Sequence, residues 1–130
     1  MAEKSVVRTE NAPAPFQGAP YSQAVRYGDL LFVAGQVALR PDHDQIVGEG
    51  IEEQTEQACE NLKAILEAGG SSLDHVLKVT FYIRNMDDFQ AINEVYSQYF
   101  ANEPRPARAL VPVATSRSAC SFDAIAFVPD

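Results

Sequence analysis

The stretch EQACENLKAILEAGGSSLDHVLKVTFYI, from Glu56 to Ile83, decides the fold of this chain of 130 residues. It continues a pattern that begins at Ile51, in which apolar residues recur three and four positions apart, as on a helix with one buried face. Gly69 and Gly70 are typical of the end of such a helix. The residues from Val76 to Ile83 then alternate along the chain, which predicts a strand. The stretch therefore predicts one amphipathic helix followed by one strand.

The alternation also predicts which side chains of this strand share a face. We expect one face with mainly apolar residues and one with more polar residues: Leu77, Val79, Phe81 and Ile83 against Val76, Lys78, Thr80 and Tyr82.

Further elements flank this stretch on both sides. Upstream, the run AVRYGDLLFVAG has two apolar segments around Gly28 and Asp29, which predicts a hairpin of two strands. Downstream, Asp87 and Gln90 have the spacing of a capping box, and the apolar stripe that follows, from Phe89 to Phe100, predicts a second helix.

Two strands are predicted to close the chain, ALVPVA from Ala109 and SFDAIAFV from Ser121. Pro112 has no backbone N–H to donate, so it places the first of them at a sheet edge or a bulge. The predicted order is β-β-α-β-α-β-β, which makes residues 1–130 a single α+β domain.

The order also predicts how the elements pack. Strands joined by a helix are usually neighbours through right-handed crossovers, so both helices are expected on one face of a mixed sheet. The runs LLFVAG and AIAFV are apolar on both faces, which does not suit a sheet with one face in water. We therefore expect another subunit to cover the second face.

Composition and charge exclude several classes of protein. The chain has 46% hydrophobic and 22% charged residues, as one globular domain does, and its formal charge of -8 disfavours nucleic acid and anionic lipid as partners. No leader-like or membrane-spanning apolar segment is evident, and Cys59 and Cys120 form no disulfide framework. We expect a cytoplasmic protein with both thiols buried.

The motifs of several enzyme classes are missing. The sequence has no GxSxG, HExxH, Walker or GxGxxG pattern, and neither His43 nor His75 has partners at metal-ligand spacing, so we expect no metal and no cofactor. Gly48 and Gly50 could cradle an anion, or they could simply form a turn and a helix cap.

Two side chains remain as candidates for ligand binding. Arg108, in EPRPARALV, enters a strand from a proline-stiffened approach and could grip a carboxylate, or it could pair with one of the many acidic side chains. Tyr21, in APYSQAV, could present its hydroxyl to a pocket or pack at the sheet edge.

A family resemblance rests on several segments that follow one another in order. They are PYSQAV, LFVAGQV, the helix-strand stretch quoted above, MDDFQAINEVYSQYF and PARA. In these segments, from about Ala12 to Val128, the chain resembles the Rid family of enamine/imine deaminases, also called the YjgF family.

The resemblance implies a chorismate-mutase-like homotrimer with ligand clefts between subunits. It implies that Arg108 binds the carboxylate of a 2-imino or 2-keto acid, that Tyr21 lines the cleft, and that Gly35 and Asn93 lie near the site. Two residues depart from the family pattern beside these positions: Ala34 stands for the usual serine and Leu110 for a frequent cysteine.

The departure with most chemical consequence is at Ser121. Active deaminases of the family carry a glutamate here, which holds the hydrolytic water. Asp123 shares a strand face with Ser121 but lies about 6 to 7 Å along the strand, which makes it a poor direct substitute. Ser121 could orient a water through its hydroxyl, but it cannot act as a carboxylate base.

Two functions from different classes follow, with a third that the family names suggest. The chain could be an imine deaminase of weak or altered activity, because imines already hydrolyse in water and a positioned water needs little further help. It could instead be a module that binds small carboxylates between subunits without turnover. A nucleolytic or translation-inhibiting role is disfavoured by the charge of -8.

Overall fold

The computed structural model describes residues 3–42 and 45–130, so His43 lies outside the described residues. The helices and strands of this part of the chain are β1 Ser5–Val7, β2 Ala24–Tyr27, β3 Leu30–Gln36, α1 Ile51–Ala68, β4 Val76–Ile83, α2 Phe89–Tyr99, β5 Ala107–Pro112 and β6 Cys120–Phe127. Short 3-10 turns, Leu73–His75 and Met86–Asp88, precede β4 and α2.

The strands form one sheet in the order β1-β2-β3-β6-β4-β5. β4 and β5 run parallel and the other neighbours run antiparallel, which confirms the predicted mixed sheet and α+β class. β1, only 3 residues long, is an addition to the predicted order. The expectation that the strands joined by α1 are neighbours is wrong, because β6 returns from the end of the chain and lies between β3 and β4.

The ends of the predicted elements are close to those observed. The β2–β3 hairpin turns at Gly28, whose φ of +60° is a conformation that glycine adopts without a steric penalty. Gly50 and Gly69 flank α1, as the sequence predicts. The Gln54 side chain donates to the Gly48 carbonyl at 3.1 Å, and Gly50 is the N-cap residue. Gly48 and Gly50 therefore form a turn and a cap before the helix. Pro112 ends β5 at the sheet edge.

The start of α2 differs from the predicted capping box at Asp87 and Gln90. Asn85 accepts the N–H of Asp87 at 3.0 Å and caps the 3-10 turn, and α2 follows that turn after Asp88. Asp88 makes no side-chain capping bond. The predicted capping box is therefore wrong, because the 3-10 turn takes the capping interaction two residues earlier in the chain.

The alternation of β4 is interrupted once. Its register with β6 shifts between Val76 and Lys78, so that Val76 is buried and Leu77 is exposed. The predicted faces of these two residues are wrong for that reason. From Val79 onward the predicted alternation is confirmed, with Val79 and Phe81 buried.

The two faces of the sheet have different surroundings. On the helix face, side chains of β3, β4 and β6 pack against α1 and α2 in one core cluster that includes Leu31, Val33, Val79, Phe81, Ile83, Phe122, Ala124 and Ala126. The open face carries the alternate side chains, among them Leu30, Phe32, Thr80, Tyr82, Ser121, Asp123 and Ile125. Both cysteines are free and buried, as predicted.

Candidate functional site

Arg108 lies on the helix face, at the edge of the sheet. It stands opposite Val79 in the parallel pairing of β5 with β4, and its side chain turns toward α2. One guanidinium nitrogen donates to Oδ1 of Asn93 at 2.7 Å. The structure thus brings together two of the side chains predicted to bind substrate, although they are 15 residues apart in the chain.

Three aromatic rings surround the same guanidinium. Its central carbon lies 4.9 Å from the ring centroid of Tyr96, 5.4 Å from that of Phe81 and 5.8 Å from that of Phe89. A cation over aromatic faces is attracted by the ring quadrupole, and the packing fixes the orientation of the guanidinium plane. The sequence analysis missed this role of the rings, although the apolar stripe of α2 contains two of them.

Arg108 has no acidic partner among the residues that the structure describes. The neighbouring Arg105 forms an ion pair with Glu103, but within residues 3–42 and 45–130 Arg108 forms none. The alternative in which Arg108 pairs with one of the chain's acids is therefore not realised in the described part of the chain. Burial raises the pKa of the Tyr96 hydroxyl, and the positive charge of Arg108 acts on it in the opposite direction.

An open hollow lies beside this arginine. It measures about 430 Å³ and is lined by residues of α2 and the approach to β5, including Asn93, Ser97, Pro106 and Arg108. Hollows of a few hundred Å³ suit small-molecule ligands. We refer to Arg108, Asn93 and their aromatic surroundings as the arginine region.

Tyr21 lies elsewhere, in the loop that precedes β2. Its side chain is 53% exposed and meets the ring of Phe16 edge-on, with centroids 6.1 Å apart. It lines a small hollow with Gly35 and Gln36, so it is not packed under the sheet edge. This exposure leaves its hydroxyl available to a ligand.

The loop that carries Tyr21 is held by a residue that the sequence analysis did not single out. The buried Gln23 side chain donates to the carbonyls of Thr9, Ala12 and Pro13, at 3.1, 3.2 and 2.9 Å, and accepts the N–H of Thr9 at 2.8 Å. A buried amide in the segment PYSQAV, directly before a strand, is the signal that could have revealed this role.

Gly35 and Ser121 are in contact across the β3–β6 pair. The register between these strands shifts between Val33 and Gln36, and a Cβ built on Gly35 would lie only 3.1 Å from the Ser121 hydroxyl oxygen. A side chain at this position would therefore require the Ser121 hydroxyl to shift by a few tenths of an ångström. Ala34, just before it, donates its N–H to the Gln23 carbonyl at 2.9 Å, which ties the irregular part of β3 to the Tyr21 loop.

Ser121 has a polar neighbourhood on the open face. It stands opposite Tyr82 of β4, and Tyr82 donates its hydroxyl to Oδ2 of Asp123 at 3.0 Å. This hydrogen bond to a carboxylate is the main cause of the raised pKa of Tyr82. We refer to Tyr21, Gly35, Ser121, Tyr82 and Asp123 as the serine region.

The two regions do not meet within one chain. Arg108 extends from the helix face, whereas Ser121 lies between the buried Cys120 and Phe122 and so faces the opposite side of the sheet. Strand β6, which carries Ser121, and strand β5, which carries Arg108, are two positions apart in the sheet, about 10 Å at the usual strand spacing. Leu110 stands opposite Phe81 in β5, closer to the arginine region than to the serine region.

Metal-binding clusters and membrane-spanning helices are both absent from the residues that the structure describes. In residues 3–42 and 45–130, no group of three or more His, Cys, Asp and Glu side chains is arranged to hold a metal ion. None of the helices described is long and apolar enough to span a membrane.

The comparisons with known proteins cover most of the chain. The profile of the family described as endoribonuclease L-PSP matches residues 9–124. A RutC family protein of Pyrococcus horikoshii is 52% identical over 110 residues, 85% of each protein. A 2-iminobutanoate/2-iminopropanoate deaminase of Dermatophagoides farinae is 40% identical over 114 residues, 88% of this chain and 87% of that protein. The crystal structure of E. coli TdcF with bound serine has a TM-score of 0.85 at 33% identity and covers 95% of this chain and 98% of TdcF.

Proposed function

This chain belongs to the Rid family, the family described as endoribonuclease L-PSP, and we therefore propose that it hydrolyses reactive 2-imino acids, and their enamine tautomers, to 2-keto acids and ammonia. The observation that carries the proposal is the state of Arg108. Its guanidinium is fixed by Asn93 and three rings, and no carboxylate of the described chain neutralises it. A substrate carboxylate is the partner that this geometry accepts.

The proposed site lies between subunits of a homotrimer. One chain holds the arginine region and the serine region on different faces, so the two can act on one molecule only if they come from different copies. A cyclic assembly sets one patch of each subunit against a different patch of the next, and with three subunits this would form three equivalent sites. The exposed apolar side chains of the open face support such an assembly.

Each region has a separate chemical task in this proposal. Arg108 binds the carboxylate, and Asn93 holds the guanidinium in place. On the other side of the cleft, Ser121 orients the water that attacks the C=N carbon, while Tyr21 lines the pocket. Positioning alone can accelerate a reaction that already proceeds in water, so a strong base is not required for turnover.

The ligand class is supported by the relatives. The Dermatophagoides farinae relative is named for deamination of 2-iminobutanoate and 2-iminopropanoate, and the TdcF structure contains serine, a small molecule with a carboxylate. We propose that this chain binds ligands with the feature that these molecules share, a carboxylate beside a carbon that bears nitrogen. We also propose that the protein acts in the cytoplasm, in keeping with its two free thiols.

The second candidate is a module that binds small 2-keto acids without turnover. The observation that favours it is Ser121, because a hydroxyl replaces the carboxylate that would hold the attacking water. A nucleolytic role, which the family description suggests, has less support because the charge of -8 repels a phosphate backbone.

An assay of imine hydrolysis separates these functions. 2-Iminobutanoate and 2-iminopropanoate would be generated by an amino acid oxidase, and their loss followed as reduced trapping by semicarbazide together with release of keto acid. The proposal expects faster hydrolysis with the wild type and a loss of that acceleration in Arg108→Ala. Arg117→Ala, which removes an exposed arginine of the loop before β6, serves as the matched control. Binding of a 2-keto acid without acceleration would identify the binding module instead.

Calorimetric titration with a 2-keto acid tests the anchor by itself. Loss of a charge-assisted, bidentate contact is worth about 1.5 to 3 kcal/mol, so Arg108→Ala should weaken binding roughly tenfold or more. Equal affinity of wild type and Arg108→Ala would show that another group binds the carboxylate.

A further inference from the structure

The open face carries one carboxylate close to the residue that replaces the family's glutamate. Asp123 lies two residues from Ser121 on β6, and both side chains extend from the same face. The separation of about 6 to 7 Å along the strand is too long for Asp123 to occupy the position of a longer side chain at residue 121. One water with hydrogen bonds of about 2.8 Å spans at most about 5.6 Å, so the Ser121 hydroxyl and the Asp123 carboxylate share a water when the two side chains lean toward each other.

Tyr82 determines how this carboxylate is presented. It stands directly opposite Ser121, and its hydroxyl reaches diagonally to Oδ2 of Asp123 at 3.0 Å. That bond restrains the carboxylate on the open face and leaves Oδ1 to accept from a further donor. Thr80, opposite Asp123 in the same pair of strands, completes a polar group on a face that is otherwise largely apolar.

We propose that Asp123 is the general base of the imine hydrolysis, that it holds the attacking water together with the hydroxyl of Ser121, and that Tyr82 is the residue that positions it. This assignment rests on the proposed function, because the substrate is brought to the water by Arg108 of a neighbouring copy. Asp123 thereby does what the family's glutamate does, from a position two residues further along the same strand, and it contacts Ser121 through a water.

The proton balance of the step is complete without any further reactant. As the water oxygen bonds to the imine carbon, the C=N π pair moves to nitrogen and Asp123 takes one proton from the water. Asp123 returns that proton to the nitrogen, which gives the carbinolamine. The carbinolamine then forms C=O and breaks C–N, its hydroxyl proton passes to the departing nitrogen, and ammonia leaves with the bonding pair.

Few other charges act on Asp123 from the elements around it. On β4 the titratable groups of the open face are Tyr82 and Lys78, the latter standing opposite Ile125. On β3, the adjacent strand on the other side, the open face presents Phe32 and Ala34. Asp123 is therefore the one carboxylate that the described open faces of β3, β4 and β6 present beside Ser121.

The test compares kcat/KM for 2-iminopropanoate in the full chain and its variants. Removal of a general base typically costs about 10²-fold or more, so Asp123→Asn should lower kcat/KM at least tenfold, with affinity for a 2-keto acid within about twofold. Asp29→Asn, the same change in the exposed β2–β3 turn, is the matched control. Light scattering and circular dichroism establish that each variant is assembled and folded.

Tyr82→Phe provides a second variant should Asp123→Asn fail to fold. Loss of the hydrogen bond that restrains the Asp123 carboxylate should lower kcat at least about threefold and leave KM unchanged. A merely structural role for Tyr82 would lower the rate equally in a Ser121→Glu background, where the new carboxylate holds the water. In a Ser121→Glu background, Asp123→Asn should have little effect, because the new carboxylate takes over the water.

Two outcomes would overturn the assignment of Asp123 as the base, and only one of them also refutes the proposed deaminase function. If the wild type accelerates hydrolysis and Asp123→Asn keeps the rate, Asp123 is not the base and the proposed function stands. If the wild type binds 2-keto acid but does not accelerate hydrolysis, the base and the deaminase function fail together.

Discussion

The two faces of the six-stranded sheet bury their aromatic residues to very different extents. On the helix face, Phe81 and Phe122 are completely buried under α1 and α2, and their ring centroids lie 5.1 Å apart. On the open face, Phe32 is 42% exposed, although it belongs to a strand that is apolar on both sides. The polar group of Ser121, Tyr82 and Asp123 lies on this second face.

The difference indicates which tasks one chain completes by itself. The helix face needs no partner, because its side chains already form a continuous core. The open face presents apolar side chains, whose burial is favourable. It also presents polar functional groups that form only one side of the proposed ligand cleft. We infer that assembly depends on the open face and stability of the single chain on the helix face, whereas activity needs both the serine region of the open face and the arginine region of the helix face.

Phe32→Asp should have the largest effect, because it places a charge at the centre of the face that the proposed trimer buries. An unpaired carboxylate in an interface costs several kcal/mol, and each copy carries one, so the variant should be monomeric and inactive. Sedimentation velocity at micromolar concentration measures this. Gln90→Asp, on the exposed side of α2, adds the same charge as a control and should remain trimeric. A wild type that is itself a stable monomer would refute the trimer and with it the site between subunits.

Phe122→Ala tests the helix face and should affect the stability of the fold. Deleting a fully buried aromatic ring costs about 3 to 5 kcal/mol, through lost burial and the cavity left behind. Phe16→Ala, which removes a ring that is 68% exposed, should cost far less. Urea denaturation with equal m-values gives the comparison, and similar free energies of unfolding for the two variants would contradict the contrast between the faces.

Ser121→Glu should raise the rate of imine hydrolysis roughly tenfold, because it restores a carboxylate that can hold the attacking water and accept its proton. The wild type should bind small 2-keto acids yet act on 2-aminoacrylate-derived imines well below a relative with glutamate at this position. Ser121→Gln has the same length without the charge and should give no gain. Wild-type activity equal to that of the relative, together with a lower rate in Ser121→Glu, would show that the serine does not limit catalysis.

The smallest effect concerns the cysteines of the helix face. Burial raises the pKa of Cys120 to about 11, against about 8.5 for an exposed thiol. Below pH 8 the folded protein should therefore react slowly with iodoacetamide, and the reaction should accelerate as pH rises toward 11, where the thiolate forms. Because the folded state favours the neutral thiol, burial of Cys120 contributes fully to the free energy of unfolding below about pH 8.5. That contribution is lost as pH rises toward 11. Rapid labelling of the native protein at pH 7 would contradict this burial.

The parts of the fold that follow from local pattern could be predicted from the sequence. α1, α2 and the β2–β3 hairpin have strong periodicities and clear end signals, and all three are observed. The insertion of β6 between β3 and β4 could not be derived, because strand order depends on contacts between residues that are far apart in the chain. The irregularity at Leu77 was missed because a shift of one residue against β6 leaves no mark in the composition of β4.

The sequence predicted individual candidate residues for the site, which stay predictions, but not how these residues are arranged. PYSQAV, GQ and PAR identified Tyr21, Gly35 and Arg108 through the family resemblance. Their separation into two regions depends on which face each strand position occupies, and for Arg108 that follows from pairing with Val79. The aromatic surroundings of the guanidinium depend on the packing of α2 against β5, which periodicity alone cannot specify.

The four hydrogen bonds of the Gln23 side chain have a consequence for local unfolding. The segment between β1 and β2 has little regular structure of its own, and besides the buried Ala12 this one amide holds its backbone at three residues, Thr9, Ala12 and Pro13. Loss of those bonds would release the segment that bears Tyr21 while the rest of the sheet remained folded. Native-state hydrogen exchange should therefore resolve an opening event of low free energy here, separate from global unfolding, so that the pocket can lose one wall without the protein losing its fold.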